Sequence, residues 1–199
     1  ANTLASGGYE VANSLRFNSG SSDYLNRTPS SAGNRQTWTL SAWVKRSKLG
    51  AGEFIFYSTD GSNSDTRIEF GTDNTLKYSS QISNVLNTRL NTTQVFRDTS
   101  AWYHFVYSVD TTQSTASNRA KLYVNGNQVT SFSTATYPSI NTNTIVNDST
   151  LHTIGRRSDG ASNYFNGYMA EVCLIDGQAL DPTSFGEFDE DSGIWKPID

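Results

Sequence analysis

Apolar and polar positions alternate with a period of two through most of the chain, the signature of half-buried strands. In residues 37–45, Trp38, Leu40, Ala42 and Val44 share one face; Thr37, Thr39, Ser41 and Lys45 share the other, with Trp43 among them. Residues 102–109 put Tyr103, Phe105, Tyr107 and Val109 on one side. Further strands are predicted over 14–18, 23–26, 53–58, 66–71, 75–79, 94–97, 119–125, 127–132, 151–155 and 164–176. Asn125-Gly126 sits between two such runs and marks a hairpin, because both residues accept the positive φ of a type I′ turn. Asp60-Gly61 and Asp159-Gly160 are weaker forms of the same signal. The single helical signal is Asp181-Pro182, an N-cap followed by proline at the first helical position.

A dozen short strands predict an all-β fold: a two-sheet antiparallel β-sandwich of the jelly-roll kind. Its inter-sheet core is predicted to hold Trp38, Leu40, Val44, Phe105, Tyr107, Leu122, Val124 and Val172. Residues 111–118 and 134–149, rich in Ser, Thr and Asn, read as long loops. Residues 1–185 are expected to form one domain. The acidic segment 186–199, with Trp195-Lys-Pro197 near its end, either packs back on the sandwich or leads to a linker.

Composition removes the competing fold classes. Among 199 residues there are 27 Ser, 23 Thr and 18 Asn but only 12 Leu, 13 Ala, 5 Lys and 6 Glu, so helix formers are scarce. An all-α fold and a βαβ enzyme fold are both excluded on that ground. The apolar fraction of 35% is low, yet the ten Tyr, ten Phe and four Trp supply a core that a disordered chain lacks.

The net charge of −4, with no basic stripe, speaks against a nucleic-acid partner. No apolar run approaches the roughly 18 residues of a spanning helix, so membrane insertion is not expected. The start, Ala1-Asn-Thr-Leu-Ala5, lacks signal-peptide features and reads as a chain whose initiator Met was removed. A lone cysteine, Cys173, excludes an internal disulfide and a cysteine zinc site.

The order of motifs resembles a known family. Trp38-Thr-Leu-Ser-Ala-Trp43-Val-Lys45, Trp102-Tyr-His-Phe-Val-Tyr-Ser-Val-Asp110, Lys121-Leu-Tyr-Val-Asn-Gly126, His152-Thr-Ile-Gly155 and Tyr164-Phe-Asn-Gly167-Tyr-Met-Ala-Glu171-Val172 occur in that sequence. Together they resemble the concanavalin A-like lectin/glucanase superfamily in its laminin G-like and pentraxin-like branch, over roughly residues 14–185. The flanks, Ser6-Gly-Gly-Tyr-Glu-Val-Ala-Asn-Ser-Leu-Arg-Phe-Asn18, Arg27-Thr-Pro-Ser-Ser-Ala-Gly-Asn-Arg35 and Ile175-Asp-Gly-Gln-Ala-Leu180 through Trp195-Lys-Pro197, resemble domains in structural proteins of marine bacteriophages. That likeness implies a virion or tail-fibre protein, assembled in the host cytoplasm and then extracellular. Other virion proteins would be its partners, and a homo-oligomer is in keeping with a fibre. The missing cysteine pair of secreted relatives suits a reducing cytoplasm.

The superfamily includes glycosidases, whose retaining chemistry needs two carboxyl groups about 5–5.5 Å apart. The acidic run Glu187-Phe-Asp-Glu-Asp191 lies between glycines in a polar tail and reads as solvated, so no catalytic residues are assigned. Glu171 shares strand parity with Met169, Cys173 and Ile175, so it is expected to be buried and paired with Arg156 or Arg157. His104 and His152 accompany no nucleophile motif and read as ordinary strand residues. Trp43, on a polar face, is either covered by other chain or offered as a platform for a sugar ring.

Asp60-Gly-Ser-Asn-Ser-Asp65 resembles the start of a calcium loop without its later Gly and bidentate Glu. Asp60 and Asp65 are the candidate calcium ligands, with Asp159 as a contributor; the same composition also makes an ordinary β-turn. Three glycosylation sequons, at Asn26, Asn91 and Asn147, are as many as chance supplies in a chain this rich in Ser and Thr.

The functional expectation is a non-catalytic, virion-associated domain that binds a host-surface carbohydrate or receptor through loops at one rim. Asp60, Asn63 and Asp65 would contribute from 58–65, and Asp159, Asn163 and Tyr164 from 157–164; the meeting of these loops is implied by the family fold alone. Asn and Asp would bond sugar hydroxyls directly or through calcium, and Tyr164 would stack on a ring. A purely structural virion domain and, more distantly, a glycan-cleaving enzyme are the alternatives.

Overall fold

The computed structural model describes residues 11–158 and 163–198. Period-two alternation yields β1 (Leu15–Phe17), β2 (Leu25–Arg27), β3 (Thr37–Arg46), β4 (Glu53–Thr59), β5 (Asp65–Phe70), β6 (Thr75–Ile82), β7 (Val85–Val95), β8 (Tyr103–Asp110), β9 (Ala120–Val124), β10 (Asn127–Gln128), β11 (Phe132–Thr136), β12 (Leu151–Ile154) and β13 (Gly167–Asp176). A C-terminal hairpin adds β14 (Gly186–Phe188) and β15 (Trp195–Pro197). The strands form a six-stranded sheet, in the order β1-β13-β3-β8-β9-β10, and a seven-stranded sheet, in the order β11-β7-β6-β5-β4-β12-β2. Every pairing within them is antiparallel. This is the expected sandwich.

Inner faces meet as the alternation requires. Trp38, Leu40, Val44, Phe105, Tyr107, Leu122 and Val124 of one sheet pack on Phe56, Ile68, Tyr78 and Leu90 of the other, with Val172 partly buried against them. Aromatic rings supply the bulk that the few aliphatics cannot: Phe96 meets Phe70, Tyr103 and Phe105 edge-on or tilted, Tyr103 stacks on Phe105, and Trp38 meets Tyr78 edge-on. At one end of the sandwich, Arg46 is fully buried yet satisfied, by Glu53, the Phe96 carbonyl and the Asn74 amide oxygen.

Helix is confined to two short 3-10 turns, Ala116–Asn118 and Pro182–Ser184. The second starts where Asp181 accepts a hydrogen bond from the Thr183 N–H. Asn125 and Gly126 take positive φ of 47° and 79° and join β9 to β10, as their sequence requires. The segment 186–199 returns to the sandwich, its described residues laying Trp195 on Trp43 and Ala170 over the outer face of the six-stranded sheet. Trp43 is therefore covered.

Three expectations fail here. Residues 134–136, read as the start of a loop, belong to β11 and pair with β7. Residues 85–95 form the long strand β7, foreseen only over 94–97, because polar Thr88 and Thr92 take core-facing positions beside Leu90. Glu171 is exposed, not buried. A β-bulge sets three steps of β13, Ala170 to Cys173, against two of β3, Trp43 to Ser41, with Glu171 at φ 47°. The extra residue reverses parity, so Met169 faces the core before the bulge and Val172 after it. The Arg156 guanidinium lies over Tyr24, 3.6 Å from the ring centroid.

Candidate functional site

Edge strands bound a sandwich only where something covers the gap between the sheets. On one side, short β1 and β2 leave it open, and a cleft of about 530 Å³ enters between β13 and the β12–β2 edge. Its volume is that of a small-molecule site. Leu40, Phe56, Val172 and Leu174 supply apolar walls; Asn26, Arg27, Asn147, His152 and Asp176 supply polar groups. An adjoining hollow of about 410 Å³ shares Leu25, Ile154 and Val172 and reaches Phe17 and Met169.

The polar end is held by a network drawn from three distant segments. Asp176 Oδ1 accepts from the Asn34 N–H at 2.7 Å and from Asn147 Nδ2 at 3.0 Å. Asn147 Nδ2 also donates to the Asn34 carbonyl, and the Gly33 N–H donates to the Asn147 carbonyl at 2.7 Å. The Asn147 N–H donates to His152 Nε2 at 3.2 Å, so His152 carries its proton on Nδ1 and gives it to the Thr150 carbonyl at 2.8 Å. Burial holds that imidazole below its ordinary pKa and keeps it neutral. Gly33 is required by space, since a Cβ there would stand 2.3 Å from Asp176 Oδ2. An amide and a carboxylate fixed this way present donors and acceptors without ordering cost.

The loops singled out from sequence lie elsewhere. Thr59 at the end of β4 pairs with Leu151, whereas Phe54 near its start donates its N–H to the Asn163 carbonyl. Loop 58–65 and residues 163–164 thus lie at opposite ends of one strand, about 17 Å apart at the usual rise. They do not form a common rim. Asp159 lies outside the described residues.

Asp60 Oδ1 accepts from the N–H groups of Ser62, Asn63 and Ser64 at 2.9–3.0 Å. Burial, the largest single influence, pushes its pKa up, but these bonds together outweigh it and hold it down to about 2. Asp65 is committed to Arg67, with Nε to Oδ1 at 2.7 Å and a second, parallel contact. Both carboxylates are thus engaged by the chain's own donors, and no group of three His, Cys, Asp or Glu gathers among the described residues. Tyr164 lies 6.5 Å from Tyr24, centroid to centroid, and its hydroxyl is held by Arg156 and Ser22, which lower its pKa.

His104 belongs to a different cluster, on the outer face of the six-stranded sheet. Trp195 Nε1–H donates to His104 Nδ1 at 2.9 Å, so the ring's own N–H is on Nε2 and donates to Ser41 Oγ at 2.8 Å. Trp43 stacks on the imidazole at 4.8 Å. Burial lowers the His104 pKa to about 4. The Ser–His pair is sealed under the hairpin, so it serves packing and not attack on a substrate.

The sequence matches the model of the concanavalin A-like lectin/glucanases superfamily over residues 19–183. No curated protein matches it. Among solved structures, domains LG4–5 of the mouse laminin α1 chain are 12% identical, with a TM-score of 0.59, over 98% of this chain and 47% of that one. A heptameric SAP-like pentraxin from Limulus polyphemus is 15% identical, with a TM-score of 0.56, over 81% and 72%. Domain 4 of an extracellular arabinanase from Geobacillus stearothermophilus, solved with arabinotriose, is 21% identical, with a TM-score of 0.54, over 75% and 65%. At these identities the structural likeness establishes the fold alone.

Proposed function

The chain belongs to the concanavalin A-like lectin/glucanases superfamily, and from that premise we propose that it is a non-catalytic domain that binds carbohydrate in the cleft between its sheets. One observation carries the reading: the cleft sets apolar Leu40, Phe56, Val172 and Leu174 beside the fixed polar groups of Asn147 and Asp176. A sugar has the same division, with apolar C–H faces and hydroxyl edges, and amides and carboxylates held in fixed positions orient it. Among the described residues Asp176 is the only carboxylate lining this cleft, with Glu171 in the adjoining hollow, and its Oδ1 already accepts two hydrogen bonds. Hydrolysis calls for a pair of carboxyl groups placed across the bond, so binding suits this lining and cleavage does not.

The same proposal sets the domain on a bacteriophage particle, where it would meet a host-surface glycan. Support for that step is the likeness of residues 6–18, 27–35 and 175–197 to marine phage structural proteins.

A glycan array probed with the whole chain tests the reading, followed by titration of each hit. Asn147→Ala and Asp176→Ala are expected to weaken binding of a neutral oligosaccharide about tenfold each, with the melting temperature checked alongside. An EDTA arm tests whether calcium contributes. Binding that survives both cleft variants but is lost on combining Asp60→Ala, Asp65→Ala and Tyr164→Ala would move the site to the loops. Failure to bind any glycan would return the domain to a purely structural role.

A further inference from the structure

The outer face of the seven-stranded sheet carries a second, differently charged surface. Register fixes its rows. Tyr57, Arg67, Ser79 and Arg89 lie side by side across β4, β5, β6 and β7. Glu69, Lys77 and Asn91 form the next row. Their strand neighbours Ile68, Tyr78 and Leu90 are in the core, so these side chains point away from it.

Four cations converge on this face. Arg67, Lys77, Arg157 and Arg89 all act electrostatically on Glu69, and Arg157 also lies 5.9 Å from the Tyr57 ring centroid. Among the described residues, the carboxylates that face them are Glu69, Asp65, which is bound to Arg67, and Asp73, which lies 3.3 Å from Lys77 at the strand end. The four cations outnumber these three carboxylates by one, in a chain whose net charge is −4. Arg67 and Arg89 flank Ser79 across two strand spacings, about 10 Å at the backbone, roughly the length of a disaccharide. Arg89 is exposed, and Arg67, Lys77 and Ser79 are half-buried and reachable. On the same face Asn91, only 9% exposed, has its Oδ1 without a hydrogen-bond partner, although buried acceptors are nearly always satisfied.

We propose that this face binds an acidic oligosaccharide, with its anionic groups received by Arg67, Lys77, Arg89 and Arg157 and its hydroxyls by Ser79 and Asn91. The occupant follows from charge complementarity, since guanidinium groups are the side chains that match carboxylate and sulfate geometry. The site is separate from the cleft and does not depend on it.

Carboxylate and sulfate would be received alike, so the test carries both. The whole chain is titrated at low salt with an oligogalacturonate tetramer, its neutral methyl ester and a heparin-derived sulfated tetrasaccharide. Binding of either acidic tetrasaccharide is expected, and which one binds names the anion. It should weaken as salt rises and fall about tenfold in Arg89→Gln and again in Arg67→Gln/Arg89→Gln. Binding should be unchanged in Arg16→Gln, a cation elsewhere on the surface, and in the cleft variant Asn147→Ala. The proposal is overturned if neither acidic tetrasaccharide binds, if Arg89→Gln binds as wild type, or if Arg16→Gln weakens binding equally. A loss in Asn147→Ala alone would assign the ligand to the cleft instead; loss of neutral-sugar binding with acidic binding intact would sink only the cleft reading.

Discussion

The two outer faces of the sandwich obey one period-two rule and end differently. On the six-stranded sheet the outward positions include Trp43, Ser41, His104 and Val106, all nearly or fully buried beneath residues 178–185 and the β14–β15 hairpin. On the seven-stranded sheet Tyr57 and Asn91 are buried too, but Arg67, Glu69, Lys77, Ser79 and Arg89 in the same rows stay within reach of water. A large apolar ring at an outward position calls for a cover, because leaving it wet forfeits about 25 cal/mol per Å² of apolar area. A row of charges calls for none. The first face is spent on stability; the second is available for recognition.

The comparison is broken most forcefully by removing the cover. Trp195→Ala is expected to cost about 3–5 kcal/mol, read by denaturant unfolding, since it empties a buried ring's volume and strands His104 Nδ1. A loss below about 1 kcal/mol would mean that the hairpin merely rests on the face.

Acid probes the same cluster. His104 titrates near 4 when folded and near 6.5 when unfolded, so between these values the unfolded chain binds the extra proton. Its contribution is intact above pH 6.5, falls as pH drops towards 4 and levels off below. The total is about 3 kcal/mol. His152, also shifted down, acts in the same direction. Comparing wild type with His104→Gln isolates the larger share: the variant's stability should decline less steeply over this range. Parallel pH profiles would contradict the assignment.

Gly126→Ala should cost somewhat less. Its φ of 79° disfavours any Cβ by about 1–2 kcal/mol, and that Cβ would stand 2.4 Å from the Trp195 ring. The open face gives the smallest effect. Arg89→Ala should change stability by no more than about 0.5 kcal/mol in the same unfolding measurement, as expected of an exposed surface position.

Much of this contrast was legible in the sequence. The alternation of Trp38, Leu40, Ala42 and Val44 identified the inward face, and Trp43 out of phase signalled either a cover or a platform. What supplied the cover depended on a contact 152 residues away in sequence. Glu171 was misplaced because a bulge has no local signature when its positive-φ residue is not glycine. The cleft stayed hidden for a related reason: Gly33, Asn147 and Asp176 come together only through the strand order, and Asn147 stood out merely as a chance sequon. Residues 58–65 and 163–164 were brought together only by the family fold, and the strand β4 sets them at its opposite ends.

The cleft reading meets its most direct test in an amide-resolved NMR titration of the whole chain with a neutral oligosaccharide that scores on the glycan array. The expected result is saturable shifts clustered at Asn26, Gly33, Asn147 and Thr153, with Arg67 and Arg89 unmoved. Shifts confined to residues 60–65 or 163–164, or none on the cleft walls at saturating sugar, would contradict it.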